Sequence, residues 1–441
     1  MKISAVKRLL FLAISTAQFL LIIPSAFAHS NSNDSVDYEL RKRLEFFGVK
    51  PFYIDDLDKS EEYLAKIKLG KKLFIDKNLS GNRNISCSTC HDPKLGTSDA
   101  QPLSQSEDGL GILRRNSSSL YNIGKNNFMF WDGRVFLNPA TRIFTTPEDS
   151  LNGATPSAFK ITQVLKSALS AQAIFPLLSQ AEMRGRTGEN EIADASTNLQ
   201  AWERLVERIT KEGDSLLYKD LFQRAYGVHE KEINIGHVGE AIGSFISKEF
   251  QSAGSPFHRY LNGENAAMSA DQKKGLAIFI GKGKCISCHS SNLLGNDNFF
   301  ASVGIPTYGS KPAMPDRGRG DVTKVEQRNF FFKTPSLINI SLTAPYMHNG
   351  IFKSIREVII HYNQIRSTLE HFELTPERKR EFPVDVEIIR SPEVVDEIWK
   401  SIQAPFLRKG LGLSLDEMND LEVFLSEALT EKPKLFKPGP I

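Results

Sequence analysis

The chain has 441 residues, too many for one ordinary core, and reads as two domains behind a leader. Its composition, 40% hydrophobic and 24% charged, is that of a soluble globular protein and excludes a disordered or low-complexity chain. With the leader's three basic residues set aside, 52 basic residues face 52 acidic ones, so the mature chain is formally neutral and carries no net charge to attract nucleic acid.

Lys2, Lys7 and Arg8 precede an apolar run from Leu9 to Ile23, and Ala26-Phe27-Ala28 closes it with the small-x-small pattern of a cleavage site. Residues 1–28 are expected to be a secretory signal peptide that delivers the chain to the periplasm, since the run is short for a membrane span. No other stretch reaches spanning length. Residues 29–59 read as an N-terminal extension, 60–254 as a first domain and 255–441 as a second.

The two domains repeat one unit. Lys68-Leu69-Gly70-Lys71-Lys72-Leu73-Phe74 and Lys273-Lys274-Gly275-Leu276-Ala277-Ile278-Phe279 each set Gly and Phe four apart on one face of a predicted helix, as a close helix crossing requires. Each is followed by a Cys-x-x-Cys-His motif, Cys87-Ser88-Thr89-Cys90-His91 and Cys285-Ile286-Ser287-Cys288-His289. Between them a helix is predicted over Ile233 to Phe250, a boundary near Gly254 to Ala270, and an N-cap at Ser269. Thr307 to Gly320, rich in Gly and Pro, reads as an irregular loop. Leu415, Met418, Leu421, Leu425 and Ala428 have helical spacing, and Ser414 with Glu417 forms a capping box for this closing helix. The layout is all-α: helix, cysteine loop, irregular covering segment, closing helix.

All four cysteines lie in the two motifs, so none is left over for a conventional disulfide framework. Two thiols three positions apart can reach both vinyl groups of a haem from one tight turn, and the adjacent histidine then projects beneath its plane to the iron. The motifs therefore read as covalent attachment sites for two haem c groups, held by Cys87, Cys90 and His91 and by Cys285, Cys288 and His289. The alternatives are zinc, which would need both cysteine pairs brought together, and a thiol redox pair.

Beyond these motifs, the chain resembles the bacterial dihaem cytochrome c peroxidase superfamily over roughly residues 60 to 430. The resemblance is carried by Phe130-Trp131-Asp132-Gly133-Arg134, by the spaced set Gln172, Pro176 and Glu182-Met183, and by Phe332-Lys333-Thr334-Pro335-Ser336-Leu337 running into Leu342-Thr343-Ala344-Pro345-Tyr346-Met347-His348-Asn349-Gly350. It implies two cytochrome c domains packed about a pseudo-twofold axis. The N-terminal haem would be the peroxide site and the C-terminal haem an electron relay. Glu182 would act as general acid/base and Gln172 as hydrogen-bond donor, with Pro176 walling the pocket and Trp131 passing charge between the haems. It also implies a structural calcium bound by the Asn116 side chain and by the Thr343 and Pro345 carbonyls.

Two departures from the peroxidase pattern matter. No histidine occurs between His91 and His229, so the first iron lacks the second histidine that often blocks it in the family, although Met129 could take that role. The position that carries a methionine ligand in the peroxidases, 17 residues after Pro345, is Tyr362. It lies on one helical stripe with Ile355, Val358 and Ile359, while His361 lies about 100° away. The open alternative is a core tyrosine with Met347 or His361 as ligand.

Tyrosine at this position resembles the MauG branch, and a phenolate favours oxidised iron where a thioether favours reduced iron. The reading is a hydrogen-peroxide-dependent enzyme that forms a high-valent two-haem state and oxidises residues of a partner protein. The competing readings are a cytochrome c peroxidase drawing electrons from a small cytochrome or cupredoxin, and a non-catalytic dihaem carrier. The stretches 135–171 and 364–408 read as extra material without an assigned role.

Overall fold

The computed structural model describes residues 32–54, 58–152 and 156–431; the predicted leader lies outside them. The chain is predominantly helical, and its organisation follows from the two Gly-x-x-x-Phe helices. Glu61–Ile75 is capped by Ser60, whose hydroxyl accepts from the Tyr63 amide at 3.2 Å. It crosses Ile235–Glu249 at Gly70, where a Cβ would stand 2.0 Å from the Ala241 carbonyl oxygen. One turn on, Phe74 packs against Phe245 with ring centroids 5.3 Å apart. The second copy repeats this contact. A Cβ on Gly275 of Ala270–Ile280 would meet Asp420 O at 2.0 Å on Leu415–Val423, and Phe279 packs 5.4 Å from Phe424. Only a residue without a side chain lets two helix backbones approach this closely, and the aromatic ring beside it fills the crossing.

The expected caps are present. Ser269 and Gln272 form a capping box, as do Ser414 and Glu417. The closing helix continues beyond Val423 as a π-turn, Phe424–Ala428.

Two main apolar cores result. The first draws on residues from Leu69 to Phe250, including the fully buried Trp202 and Phe222. The second runs from Phe257 to Leu429 and also takes in Leu40, Leu44 and Val49. The N-terminal stretch is therefore packed: Ser32–Phe46 lies on the second core, with Asp37 paired to Lys273 at 2.8 Å. A third, smaller core joins Phe330 to Ile365, Leu369, Val395, Ile398, Ile402 and Leu407, so most of it comes from the extra stretch 364–408.

The chain is mostly α as expected, but among the described residues seven short strands in three antiparallel sheets accompany the helices. Phe128–Met129, Val135–Leu137 and Phe144–Thr145 form one, and Asn296–Ala301 pairs with Phe332–Thr334. Thr307–Ser310, within the stretch expected to be an irregular loop, is a strand paired with Val386–Ile389. Its partner comes from about 80 residues away, a pairing that local Gly and Pro content cannot signal. Among the described residues, no helix is long and apolar enough to cross a membrane.

Candidate functional site

A cavity of about 900 Å³ is lined by residues of both main cores, and both Cys-x-x-Cys-His motifs open into it. At the first, Cys87–Cys90 is one helical turn, and His91 follows as its C-cap. The imidazole Nδ1 of His91 lies 3.1 Å from the Thr97 carbonyl oxygen and 3.3 Å from Ser117 Oγ. At the second, His289 Nδ1 lies 2.6 Å from Leu294 O. A carbonyl acceptor holds the proton on Nδ1 and leaves Nε2 with its lone pair, the arrangement that metal-ligating histidines use.

Burial holds the His91 ring below its ordinary pKa and lowers His289 to about 4, so both are neutral and able to donate a lone pair. No disulfide joins the four cysteines, and burial pushes the Cys87 and Cys285 thiols up to about 12. Paired thiols and an oriented neutral imidazole, set twice along one largely apolar cavity, fit two haem groups.

Gln172, Pro176 and Glu182 all line this cavity. Gln172 ends the helix Ala168–Gln172, Pro176 opens the turn Pro176–Leu178, and Glu182 lies in the π-turn Gln180–Arg184. That turn is pinned from two sides: Gly81 N donates to Met183 O at 2.6 Å, and Glu107 N donates to Ala181 O at 2.9 Å. Burial raises the Glu182 carboxyl above the ordinary range, opposed by the Arg134 charge and the Ser179 hydroxyl. Burial also pushes the Cys90 thiol up to about 12, with Asp99 and Glu182 adding to the effect, so Glu182 stands within electrostatic reach of the first motif. Met129, buried on its strand, also lines the cavity.

Tyr362 lies on the helix Ile355–Asn363, lines the cavity and packs against the third core. Burial raises its hydroxyl pKa, and the Cys288 and Cys285 thiols raise it further, so the phenol is within electrostatic reach of the second motif. Its neighbour His361 is buried outside the cavity lining, with Nε2 2.9 Å from Val303 O. Met347, like Tyr362, lines the cavity.

Trp131 stands at the tip of the hairpin between Phe128–Met129 and Val135–Leu137, where the chain enters the seam between the cores. Its indole Nε1 donates to Asn116 O at 3.0 Å, and its carbonyl accepts from Lys333 N at 2.8 Å. Gly133 follows at φ +67°, and a Cβ there would strike Phe300 at 2.4 Å, so the tip fits only with glycine. Asn116 donates through Nδ2 to Gln101 O at 2.8 Å, and Thr343 and Pro345 line the same cavity.

The sequence reading missed three charged residues of this seam. Arg115 bridges Asp132 at 2.5 Å and Asp316 at 2.7 Å, Asp316 coming from the second half. Lys333 is buried beside Trp131. Arg319 donates to Asp132 O at 3.0 Å and Gly133 O at 2.7 Å. The one available signal was a lone lysine in the aromatic run Phe330-Phe331-Phe332-Lys333; nothing local pairs Arg115 with a partner 201 residues away.

The family model for di-haem cytochrome c peroxidase matches residues 64–266. The methylamine utilization protein MauG of Methylorubrum extorquens is 29% identical over 74% of this chain and 78% of its own length. MauG of Methylophilus methylotrophus is 30% identical over 68% and 72%. The cytochrome c551 peroxidase of Pseudomonas aeruginosa is 29% identical over 66% and 70%. A solved structure, described as a MauG-like protein associated with microbial copper homeostasis, aligns at a TM-score of 0.58 and 24% identity, covering 87% of this chain and 93% of that one; the likeness is one of fold.

Proposed function

Because the chain belongs to the di-haem cytochrome c peroxidase family and is thereby a haem-dependent peroxidase-type oxidoreductase, we propose that it is a periplasmic, MauG-like enzyme that uses hydrogen peroxide to oxidise residues of a partner protein. In this reading each Cys-x-x-Cys-His motif attaches one haem c, in cytochrome c-type domains spanning 60–254 and 255–441 and related by a pseudo-twofold axis. The haems supply the redox and peroxide chemistry. One peroxide accepts two electrons from the partner and two protons, and leaves as two waters.

The residues have separate tasks. His91 and His289 would ligate the two haem irons, and their carbonyl-bonded Nδ1 atoms fix the ring orientation. Glu182, whose carboxyl burial raises above the ordinary range, would carry a proton between the two peroxide oxygens, with Gln172 as hydrogen-bond donor to the oxidant and Pro176 excluding water. Trp131 links the two haem sites across the seam, so the partner need not enter the peroxide pocket. Asn116 Oδ1 and the Thr343 and Pro345 carbonyls hold a structural calcium, supported by the commitment of the Asn116 Nδ2 to backbone carbonyls.

The observation that supports this reading is Tyr362, which lines the cavity within electrostatic reach of the second motif, while His361 lies outside the lining and is turned to Val303. A phenolate on the second iron stabilises its oxidised states. The second reading, a cytochrome c peroxidase fed by a small cytochrome or cupredoxin, is favoured by Met347, which lines the same cavity.

A Tyr362→Phe substitution separates the two. We expect both haems to remain attached and the near-infrared absorption evoked by peroxide to disappear. If that absorption persists unchanged, Tyr362 is not the ligand. Turnover of reduced cytochrome c at roughly hundreds per second would favour the peroxidase instead.

A further inference from the structure

Lys333 lies on the strand Phe332–Thr334 of the second half, and its side chain crosses the seam to the first. Nζ donates to Phe128 O at 3.0 Å, and the residue is only 7% exposed while lining the cavity. A lysine ammonium has three donors, and a buried one requires a compensating negative charge. Among the described residues, Lys333 makes this one side-chain hydrogen bond and no ion pair. Asp297, the acidic residue whose charge it feels, already accepts from the Asn127 and Phe128 amides. Burial holds the ammonium down to about 8, as expected of a cation without a close carboxylate.

The other cations of the lining do not share this position. Arg115 is bonded to Asp132 and Asp316, Arg134 to Asp132, Arg114 is exposed and near Asp316 and Asp321, and Lys284 is exposed. A buried ammonium that faces a haem-sized cavity, with its own carboxylates occupied elsewhere, lacks an anion that a haem carries. Every haem presents two propionates at one edge of its ring.

We propose that Lys333 is the counter-cation of a haem propionate at the seam, a positioning residue that fixes that edge of the haem next to the Phe128–Trp131 strand end. The inference rests only on the two-haem part of the proposed function and not on the oxidation of a partner. Its electrostatic consequence is direct: a fixed positive charge near the iron favours the reduced form, so removing it lowers the potential of that haem and leaves the other unchanged.

The test uses the full-length holoprotein. Haem content is read from the pyridine haemochrome spectrum, and the two midpoint potentials from an optical redox titration. Lys333→Met is expected to keep two haems and to weaken reduction of one of them about tenfold, roughly 59 mV for a one-electron couple. Lys333→Arg keeps the charge and is expected to restore most of that shift. Should the methionine variant fail to fold, Lys333→Gln is compared with Lys333→Arg by resonance Raman; the propionate bending bands move in the glutamine variant alone. Unchanged potentials in a two-haem Met variant, or unchanged propionate bands in the Gln variant, overturn the assignment of Lys333 alone. An equal shift of both potentials that arginine does not rescue also overturns it, since that is the mark of lost packing. A wild-type holoprotein preparation with no haem overturns both this inference and the proposed function.

Discussion

At Glu182 the fold opposes charge where the proposed chemistry needs a proton carrier. Burial raises its carboxyl above the ordinary range, so the proton is retained to a higher pH than on an exposed glutamate. The Glu182→Gln variant is expected to consume peroxide about 10²–10⁴-fold more slowly, the usual effect of a lost acid/base group. Wild-type kcat/KM for peroxide should fall on the acid side with a pKa above 4.5, and the variant should lack that limb. The stability sign is the reverse. A carboxyl with a raised folded pKa destabilises the fold once pH exceeds its unfolded value, so the glutamine variant should melt no lower than wild type at pH 7. A variant that is both slower and much less stable would point to a structural role. The Gln172, Pro176 and Glu182 set was legible because its spacing survives in one short stretch. That all three line one cavity was not legible, because the placement of the Glu182 turn depends on its anchoring by Gly81 and Glu107.

At the scale of elements, the two helix crossings were the most legible feature. A glycine and an aromatic four apart on one helical face have a direct meaning: close approach beside a filled gap. The expected consequence is strict. Gly275→Ala places a methyl 2.0 Å from a backbone oxygen, so the helices must separate; we expect a loss of roughly 1–3 kcal/mol in denaturant unfolding. A loss under about 0.5 kcal/mol would mean that the crossing yields easily. The strands were illegible for an equally physical reason. Thr307–Ser310 is held by Val386–Ile389, and Phe332–Thr334 by Asn296–Ala301; each ladder draws on a partner outside its own local window. The extra stretch 364–408 also acquired a definite place, because its apolar residues build the small core behind Tyr362.

For the whole molecule, the seam between the cores depends on charges that neither half completes alone. By itself, burial would raise the Asp316 carboxyl, but the hydrogen bonds and charge of Arg115 hold it well below its ordinary 3.8. Asp132 is likewise buried and likewise lowered by Arg115 and Arg134. Carboxyls depressed in this way contribute stability above their unfolded pKa and lose it as pH falls through the folded one, so the wild-type seam should persist well below pH 4. Arg115→Met leaves Asp316 buried without its bidentate partner and should cost about 3–5 kcal/mol at pH 7, measured by chemical denaturation. That deficit should shrink as pH falls toward 5, because the orphaned Asp316 carboxyl takes up a proton. A deficit that stays constant with pH would show that the loss is one of packing and not of charge.

The sequence by itself determined the chemistry on offer: two Cys-x-x-Cys-His motifs, two glycine-aromatic helices, a tyrosine 17 residues after Pro345 and a carboxylate in a spaced set. These are local patterns, and local geometry is enough to give them meaning. Only the tertiary structure decided that both motifs open into one cavity, that Tyr362 and not His361 lines it, and that Arg115 and the buried Lys333 reach across the seam. The physical reason is that burial and charge pairing arise between segments up to about 200 residues apart, and their energies depend on which surfaces meet.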